Sequence, residues 1–184
     1  MTETVPARVD ALVVGAGAAG LFYGGVAGRQ GLRVCVIDHA AKPAEKVRIS
    51  GGGRCNFTNL ETEPERFLSQ NPHFAKSALA RYSPWDFIDL MDRHGLTWHE
   101  KTLGQLFCDQ KSGAIIQMLL DELAAGGCSL HLATEVGEIE QTPDGYRVAT
   151  SRGVVETRRL VIATGGLSIP KMGATGFAYD LARR

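Results

Sequence analysis

An α/β fold built on a parallel sheet is what this chain predicts, and three observations carry the prediction. Apolar strands alternate with segments of helical periodicity, a glycine turn joins the first strand to the first helix, and the last clear strand, RRLVIATGG, is again an unbroken apolar run ending in glycines. Strands covered by helices on both faces read as continuous Val, Ile and Leu rather than as alternation, which is how residues 9–14 and 33–37 read.

Between those two strands lies a helix opened by Gly15, Gly17 and Gly20, the three glycines of G-x-G-x-x-G. The first permits the tight turn, the second lets the main chain approach a pyrophosphate, and the third lets helix and strand pack closely. The helix start offers free N–H groups and a partial positive charge to a diphosphate. Asp38 closes the second strand at the position, about 20 residues past the glycines, where a carboxylate accepts hydrogen bonds from ribose hydroxyls. No arginine stands beside it, which favours a free 2′-OH over a 2′-phosphate. Gly24 and Gly25 sit inside the helix, each at a cost of up to about 1 kcal/mol relative to alanine, so close packing against sheet or cofactor is expected there.

From Asp38 to Asn59 the chain is polar and too irregular for a strand or a long helix. It contains KVRISGGGRCNFTN, residues 46–59. Gly51, Gly52 and Gly53 let the backbone turn with positive φ or pass close to a ligand, and Arg54 can pair bidentately with a phosphate or carboxylate. Asn56, Thr58 and Asn59 add short polar groups. Lys46 and Arg48 read equally well as ligands or as solvated loop charges.

Two helices follow. Asn71-Pro72 is a start signal with Phe74, Ala78, Leu79 and Tyr82 on one face, and Ser83-Pro84 is another with Phe87, Leu90, Met91 and His94, stopped at Gly95. Both stripes are expected to face a core, and His94 to be a helix histidine rather than a catalytic base. Residues 96–109 read as a hairpin turning at Leu103-Gly104. Ile115, Ile116, Leu119, Leu120 and Leu123 mark a further helix ended by Gly126-Gly127. Strands are expected at 129–133, 136–141, 146–151 and 154–163, with Asp144-Gly145 as a hairpin turn and the last strand rejoining the parallel sheet. That strand delivers Ala163, Thr164, Gly165 and Gly166 to the carboxyl edge of the sheet, where open α/β sheets bind ligands. Ser168, Pro170 and the turn at 173–176 read as a loop that could close over the same crevice. The sequence stops at what looks like the start of a helix, as expected of the N-terminal piece of a longer protein.

The composition of the 184 residues, 44% hydrophobic and 22% charged, is that of a globular protein. Twenty basic and twenty acidic side chains cancel, so the expected partner is a small-molecule substrate, with no nucleic acid and no membrane. The N-terminal MTETVPARVD has no apolar core, and Cys35, Cys55, Cys108 and Cys128 form no CxxC pair, so a cytoplasmic location with reduced thiols is expected. The five histidines show no ligand spacing, and no metal is expected. The oligomeric state is open.

GAGAAG, SGGGRCNFTN and ATGGLSIPKMGATGFAYDLAR, at these spacings, resemble the bacterial NAD(P)/FAD-dependent oxidoreductases of the aminoacetone oxidase-like or bile-acid-inducible flavoprotein type, over essentially the whole chain. The resemblance implies a Rossmann-like FAD-binding domain of the two-dinucleotide-binding-domain flavoprotein type, with a parallel sheet, a helical segment and an added antiparallel β-meander. Residues 1–184 would be its N-terminal part: a βαβ unit at 9–38, a helical and hairpin segment at 60–127, the meander at 128–159 and the return strand at 160–166. It further implies that Gly15, Ala16, Gly17, Ala18, Ala19 and Gly20 hold the pyrophosphate and Asp38 the adenosine ribose. Lys46, Gly53, Arg54, Cys55 and Asn56 would approach the diphosphate or flavin, Val136 would meet the adenine through its backbone, and Ala163, Thr164 and Gly165 would lie near the ribityl or diphosphate. Asp38 stands where the family more often has Glu, and Cys108 follows Phe107 where proline is usual.

The expected activity is that of an FAD-dependent oxidoreductase passing hydride or electrons between a nicotinamide, NAD(P)H, or another small-molecule donor and an unspecified acceptor. A non-catalytic FAD- or NAD-binding module and a plain NAD-binding domain are the alternatives. No residue is assigned a catalytic role. Cys55 reads either as a thiol activated by Arg54 or as a packing residue beside the cofactor, with packing favoured because no partner cysteine stands at redox spacing.

Overall fold

The computed structural model describes residues 4–167 and 175–183. In chain order the elements are β1 (Arg8–Val14), α1 (Ala18–Arg29), β2 (Val34–Ile37), α2 (Glu45–Ile49), β3 (Asn56–Asn59), α3 (Lys76–Arg81), α4 (Pro84–Arg93), β4 (Trp98–Glu100) and β5 (Gln105–Cys108). They continue with α5 (Lys111–Ala125), β6 (Ser129–His131), β7 (Val136–Thr142), β8 (Gly145–Thr150), β9 (Gly153–Ile162) and α6 (Phe177–Ala182). Residues 1–46 and 119–184 form one compact unit and residues 47–118 another.

The first unit is built on a six-stranded sheet of order β6-β2-β1-β9-β8-β7. β1 pairs in parallel with β2 (Val14 opposite Ile37) and with β9 (Val14 opposite Ile162), while β8 and β7 extend the sheet as an antiparallel meander. The last strand therefore rejoins the parallel sheet as expected, and its length lets it serve both parts. Ala11, Leu12 and Val13 are wholly buried because both faces of β1 are covered. On one face Val9, Leu12, Val14, Cys35, Ile37, Val148 and Val155 form a continuous core. On the other, a side chain at Gly24 would overlap Leu123 of α5 and one at Gly28 would overlap the Gly126 carbonyl, so the helix glycines serve helix–helix approach. Arg29 and Glu122 form an ion pair across that contact.

In the second unit β3, β5 and β4 form an antiparallel sheet. The hairpin turns at Leu103 and Gly104, both with positive φ, as expected. β3 corrects the expectation that the segment up to Asn59 is too irregular for a strand: Asn56 pairs with Phe107 and Asn59 with Gln105, so the strand exists because β5 offers it a ladder. α4 starts as expected, with Ser83 and Asp86 closing a capping box and Ile88, Leu90 and Met91 buried. The preceding segment does not match expectation. α3 covers only Lys76–Arg81 and buries no residue, and Phe74 and Tyr82 are exposed. Amphipathic spacing there meets no facing element, and a six-residue helix has little stability of its own.

No helix among the described residues is long and apolar enough to cross a membrane. The expected closing loop at Ser168, Pro170 and Gly173 lies outside the described residues.

Candidate functional site

At the carboxyl ends of β1, β2 and β9, three loops of the first unit meet in a single hydrogen-bonded arrangement. Gly15 donates to the Ile37 carbonyl at 2.8 Å, and Ala163 donates to the Val14 carbonyl at 2.8 Å. Gly15 has φ +112°, and any side chain on it would overlap the Ala163 carbonyl; a side chain on Gly20 would overlap the Gly15 carbonyl. These two glycines are fixed by the fold itself. Gly17 is different. It caps α1 with φ −77°, a conformation open to any residue, and the nearest atom to a Cβ there would be the Ala163 carbonyl oxygen at 4.0 Å. Among the described residues nothing demands glycine at that position.

α1 has no side-chain cap and no acid in its first turn, and Ala18 and Ala19 are exposed. Its first amides and the positive end of its dipole therefore face outward. The Asp38 carboxylate braces the turn. Oδ2 accepts from the Ala16 amide at 2.6 Å and Oδ1 accepts from the Ala40 amide at 2.9 Å, with the His39 ring 3.3 Å away. Sequence reasoning gave Asp38 a role toward a ribose and missed this internal one. It also missed Ala44, whose amide donates to the Ala16 carbonyl at 2.9 Å from a left-handed backbone (φ 56°) for which alanine gives no sequence signal.

The loop before Val136 is stitched to the same place. Thr134 donates its amide to the Asp38 carbonyl at 2.8 Å, and Ala133 donates to the Ala40 carbonyl at 2.9 Å. Val136 begins β7 just beyond. On the β9 side, Lys46 Nζ donates to the Gly166 carbonyl at 3.0 Å, beside Gly165, which has φ +74°. Thr164 Oγ1 is buried and has no hydrogen-bond partner among the described residues. A buried hydroxyl left without a partner costs free energy unless something supplies one. Gly15, Ala16, Gly17, Ala18, Ala19, Gly20, Asp38, Lys46, Val136, Ala163, Thr164 and Gly165 all belong to this unit.

Gly53, Arg54, Cys55 and Asn56 belong to the second unit. Gly51, Gly52 and Gly53 all have positive φ, as does Cys55, whose amide donates to the Ser50 carbonyl at 2.9 Å. Asn56 pairs with Phe107 in the β3–β5 ladder, and its side-chain amide, with nitrogen and oxygen exchanged, donates to the Leu106 and Thr58 carbonyls at 3.1 Å each. Arg54 is exposed and Cys55 buried. Burial, reinforced by the neighbouring Cys108, pushes the Cys55 thiol from its ordinary 9.0 up to about 11. That burial favours the packing reading over an activated thiol.

A cavity of about 680 Å³ opens at the opposite, amino end of the sheet, lined by Arg8, Asp10, Arg33, Tyr146, Glu156 and Arg158 among others. Two ion pairs line it: Arg8 pairs with Glu156 at 2.7 Å, and Arg33 binds Asp10 and holds that carboxyl at about 2.

The family model described as HI0933-like protein Rossmann domain matches residues 9–184. The chain belongs to this family. It is 52% identical over 177 residues to the ribosomal RNA dihydrouridine synthase of Escherichia coli (strain K12), an alignment covering 96% of this chain and 44% of that protein. It is 47% identical over 177 residues to the protein of the same name from Haemophilus influenzae, covering 94% and 44%. The chain thus spans less than half the length of these relatives. Among solved structures, 3-ketosteroid-delta4-(5alpha)-dehydrogenase from Rhodococcus jostii RHA1 superposes with a TM-score of 0.64 at 17% identity, over 91% of this chain and 47% of that one, which shows the shared α/β fold.

These relatives overturn two expectations. A small-molecule substrate with no nucleic-acid partner, and with it redox transfer to an unspecified acceptor or a non-catalytic module, does not fit a family whose members at 52% and 47% identity are named for a reaction on ribosomal RNA. The expectation rested on a net charge of zero over the whole chain. Nucleic-acid binding is governed by local arrays of cations, which a sum over 184 residues averages away.

Proposed function

We propose that this chain is the FAD-binding portion of a ribosomal RNA dihydrouridine synthase, an enzyme that saturates the C5–C6 bond of a uridine ring within ribosomal RNA. The observation that carries the proposal is the identity of 52% and 47%, over nearly the whole chain, to two proteins so named. Saturating that bond adds two hydrogens, one as hydride and one as proton, and the flavin when bound supplies the hydride-transfer chemistry. Reduced nicotinamide, NAD(P)H, is the proposed electron source, and the cytoplasm the proposed compartment.

The chain's own residues fit the cofactor. The amides of Ala18 and Ala19, with Ala16 and the space before Gly17, suit a diphosphate at a helix start, and Gly15 and Gly20 give that turn its shape. Asp38 keeps lone pairs beyond the two that its amide partners use, so it can accept from ribose hydroxyls. The Val136 main chain is proposed to meet the adenine. Thr164 Oγ1, buried without a partner among the described residues, is proposed to bond a ligand oxygen, with the main chain of Ala163 and Gly165 beside it and Lys46 adding positive charge. Gly53, Arg54, Cys55 and Asn56 are proposed to approach the diphosphate or the ring, Cys55 by packing.

The test uses the full-length protein with ribosomal RNA that lacks dihydrouridine and with reduced nicotinamide, followed by nuclease digestion and mass spectrometry. One uridine should gain two hydrogens. RNA that stays unmodified while the bound flavin is reducible contradicts the proposal.

A further inference from the structure

We propose that residues 66–85 of the second unit form a docking surface for single-stranded RNA; the inference rests on the ribosomal RNA reading above. The segment reads RFLSQNPHFAKSALARYSPW and contains no Asp or Glu, although acids bracket it at Glu61, Glu63 and Glu65 on one side and Asp86 on the other. It carries Arg66, His73, Lys76 and Arg81 in a chain whose net charge is zero. Only Ala75 within it is buried. Its large apolar groups face outward instead: Leu68 is 96% exposed, Trp85 57%, Phe74 53% and Phe67 39%, with Tyr82 also exposed. Phe67 and Phe74 meet edge-on at 6.2 Å. Exposed apolar groups gathered in one segment mark an interaction surface, since leaving them in water is unfavourable.

The chemistry of the segment selects the partner. Aromatic faces interleaved with cations, in a segment that carries no carboxylate of its own, match a polymer of flat bases on an anionic backbone. Single-stranded RNA can splay its bases onto such rings, whereas an A-form duplex keeps them stacked inside. Arg66 is held by Glu61 at 3.2 Å, so Lys76 and Arg81 are assigned the phosphate contacts and Phe74 and Trp85 the stacking.

Fluorescence anisotropy of the full-length protein with a labelled oligouridine of about 15 nucleotides tests this, that length being near the upper end of a single-strand site. The double variant Phe74→Ala/Trp85→Ala should bind at least about tenfold more weakly with an unchanged salt slope. Lys76→Ala/Arg81→Ala should lower the slope of log K against log salt by about 1.4, the share of two phosphates. Circular dichroism confirms that each variant is folded, and Trp85→Phe should restore binding. Absent binding by the wild type, or both double variants binding within twofold of it, overturns the proposal. So does loss of self-association in the variants with RNA affinity unchanged, which would make the surface a contact between copies. Dihydrouridine formation measured in parallel separates the two readings. Wild-type modification of ribosomal RNA with unchanged kcat/KM in the variants defeats the surface alone. Variant-sensitive oligouridine binding without any dihydrouridine defeats the enzyme reading and leaves the surface standing.

Discussion

The amide of Ala16 donates to Asp38 Oδ2 at 2.6 Å, which ties the acid ending β2 to the middle of the glycine turn ending β1. The same carboxylate holds Ala40, so one side chain sets the mutual position of two loops at the sheet edge. Asp38→Ala should therefore destabilise the chain by about 1.5–3 kcal/mol even without flavin, the range for hydrogen bonds to a charged group. Chemical denaturation of the flavin-free protein measures this. An effect seen only with flavin present would mean that Asp38 serves the ligand and not the loop.

The three glycines of the turn should separate on substitution. Gly15→Ala and Gly20→Ala place a methyl on a carbonyl oxygen and should abolish folding or lower Tm steeply. Gly17→Ala meets nothing closer than 4.0 Å among the described residues, so Tm of the flavin-free protein should hardly move while flavin affinity falls at least about tenfold. Thermal melts and flavin absorbance of the full-length protein distinguish these outcomes.

Thr164→Val removes a buried hydroxyl that has no hydrogen-bond partner among the described residues. Stability without flavin should stay level or rise by up to about 1 kcal/mol, because no hydrogen bond is lost and a desolvation cost is relieved. Flavin affinity should fall. A substitution that destabilises the flavin-free protein would reveal an internal partner and remove Thr164 from the site.

Cys55 gives the pH dependence. Its thiol is raised from 9.0 to about 11 in the folded chain, so folding favours the protonated form. The stabilisation is complete below about 9 and is lost as pH rises through about 11. Stability of the wild type should fall more steeply over that window than that of Cys55→Ala, by denaturant titration at each pH. At neutral pH the thiol should resist alkylation until the protein unfolds.

How much of this was legible in the sequence follows from which interactions are local. The glycine turn is readable because the positive φ of Gly15 and the close crossing at Gly20 impose a residue type at a fixed spacing. The start of α4 is readable for the same reason, since Ser83 and Asp86 cap each other within one turn. β3 was not, because Asn56, Thr58 and Asn59 are poor advertisers of a strand that exists through pairing with β5. The stripe at Phe74, Ala78, Leu79 and Tyr82 has helical spacing, yet a core also needs a facing element. The bracing of Ala16 by Asp38 joins residues 22 apart in sequence and has no local signature. The motif resemblance reached the Rossmann fold but neither the subfamily, since the aminoacetone oxidase-like type it implied is not the one the 52% and 47% relatives are named for, nor the substrate, which depends on surfaces that no phosphate-binding motif encodes.

The most direct test of the central claim is the dihydrouridine content of ribosomal RNA in Escherichia coli cells lacking their own synthase and expressing the full-length protein. The wild type should restore the modified nucleoside and Gly20→Ala should not, because a side chain there overlaps the Gly15 carbonyl and the glycine turn cannot form. Ribosomal RNA left without dihydrouridine by a well-expressed, flavin-loaded wild type would contradict the account.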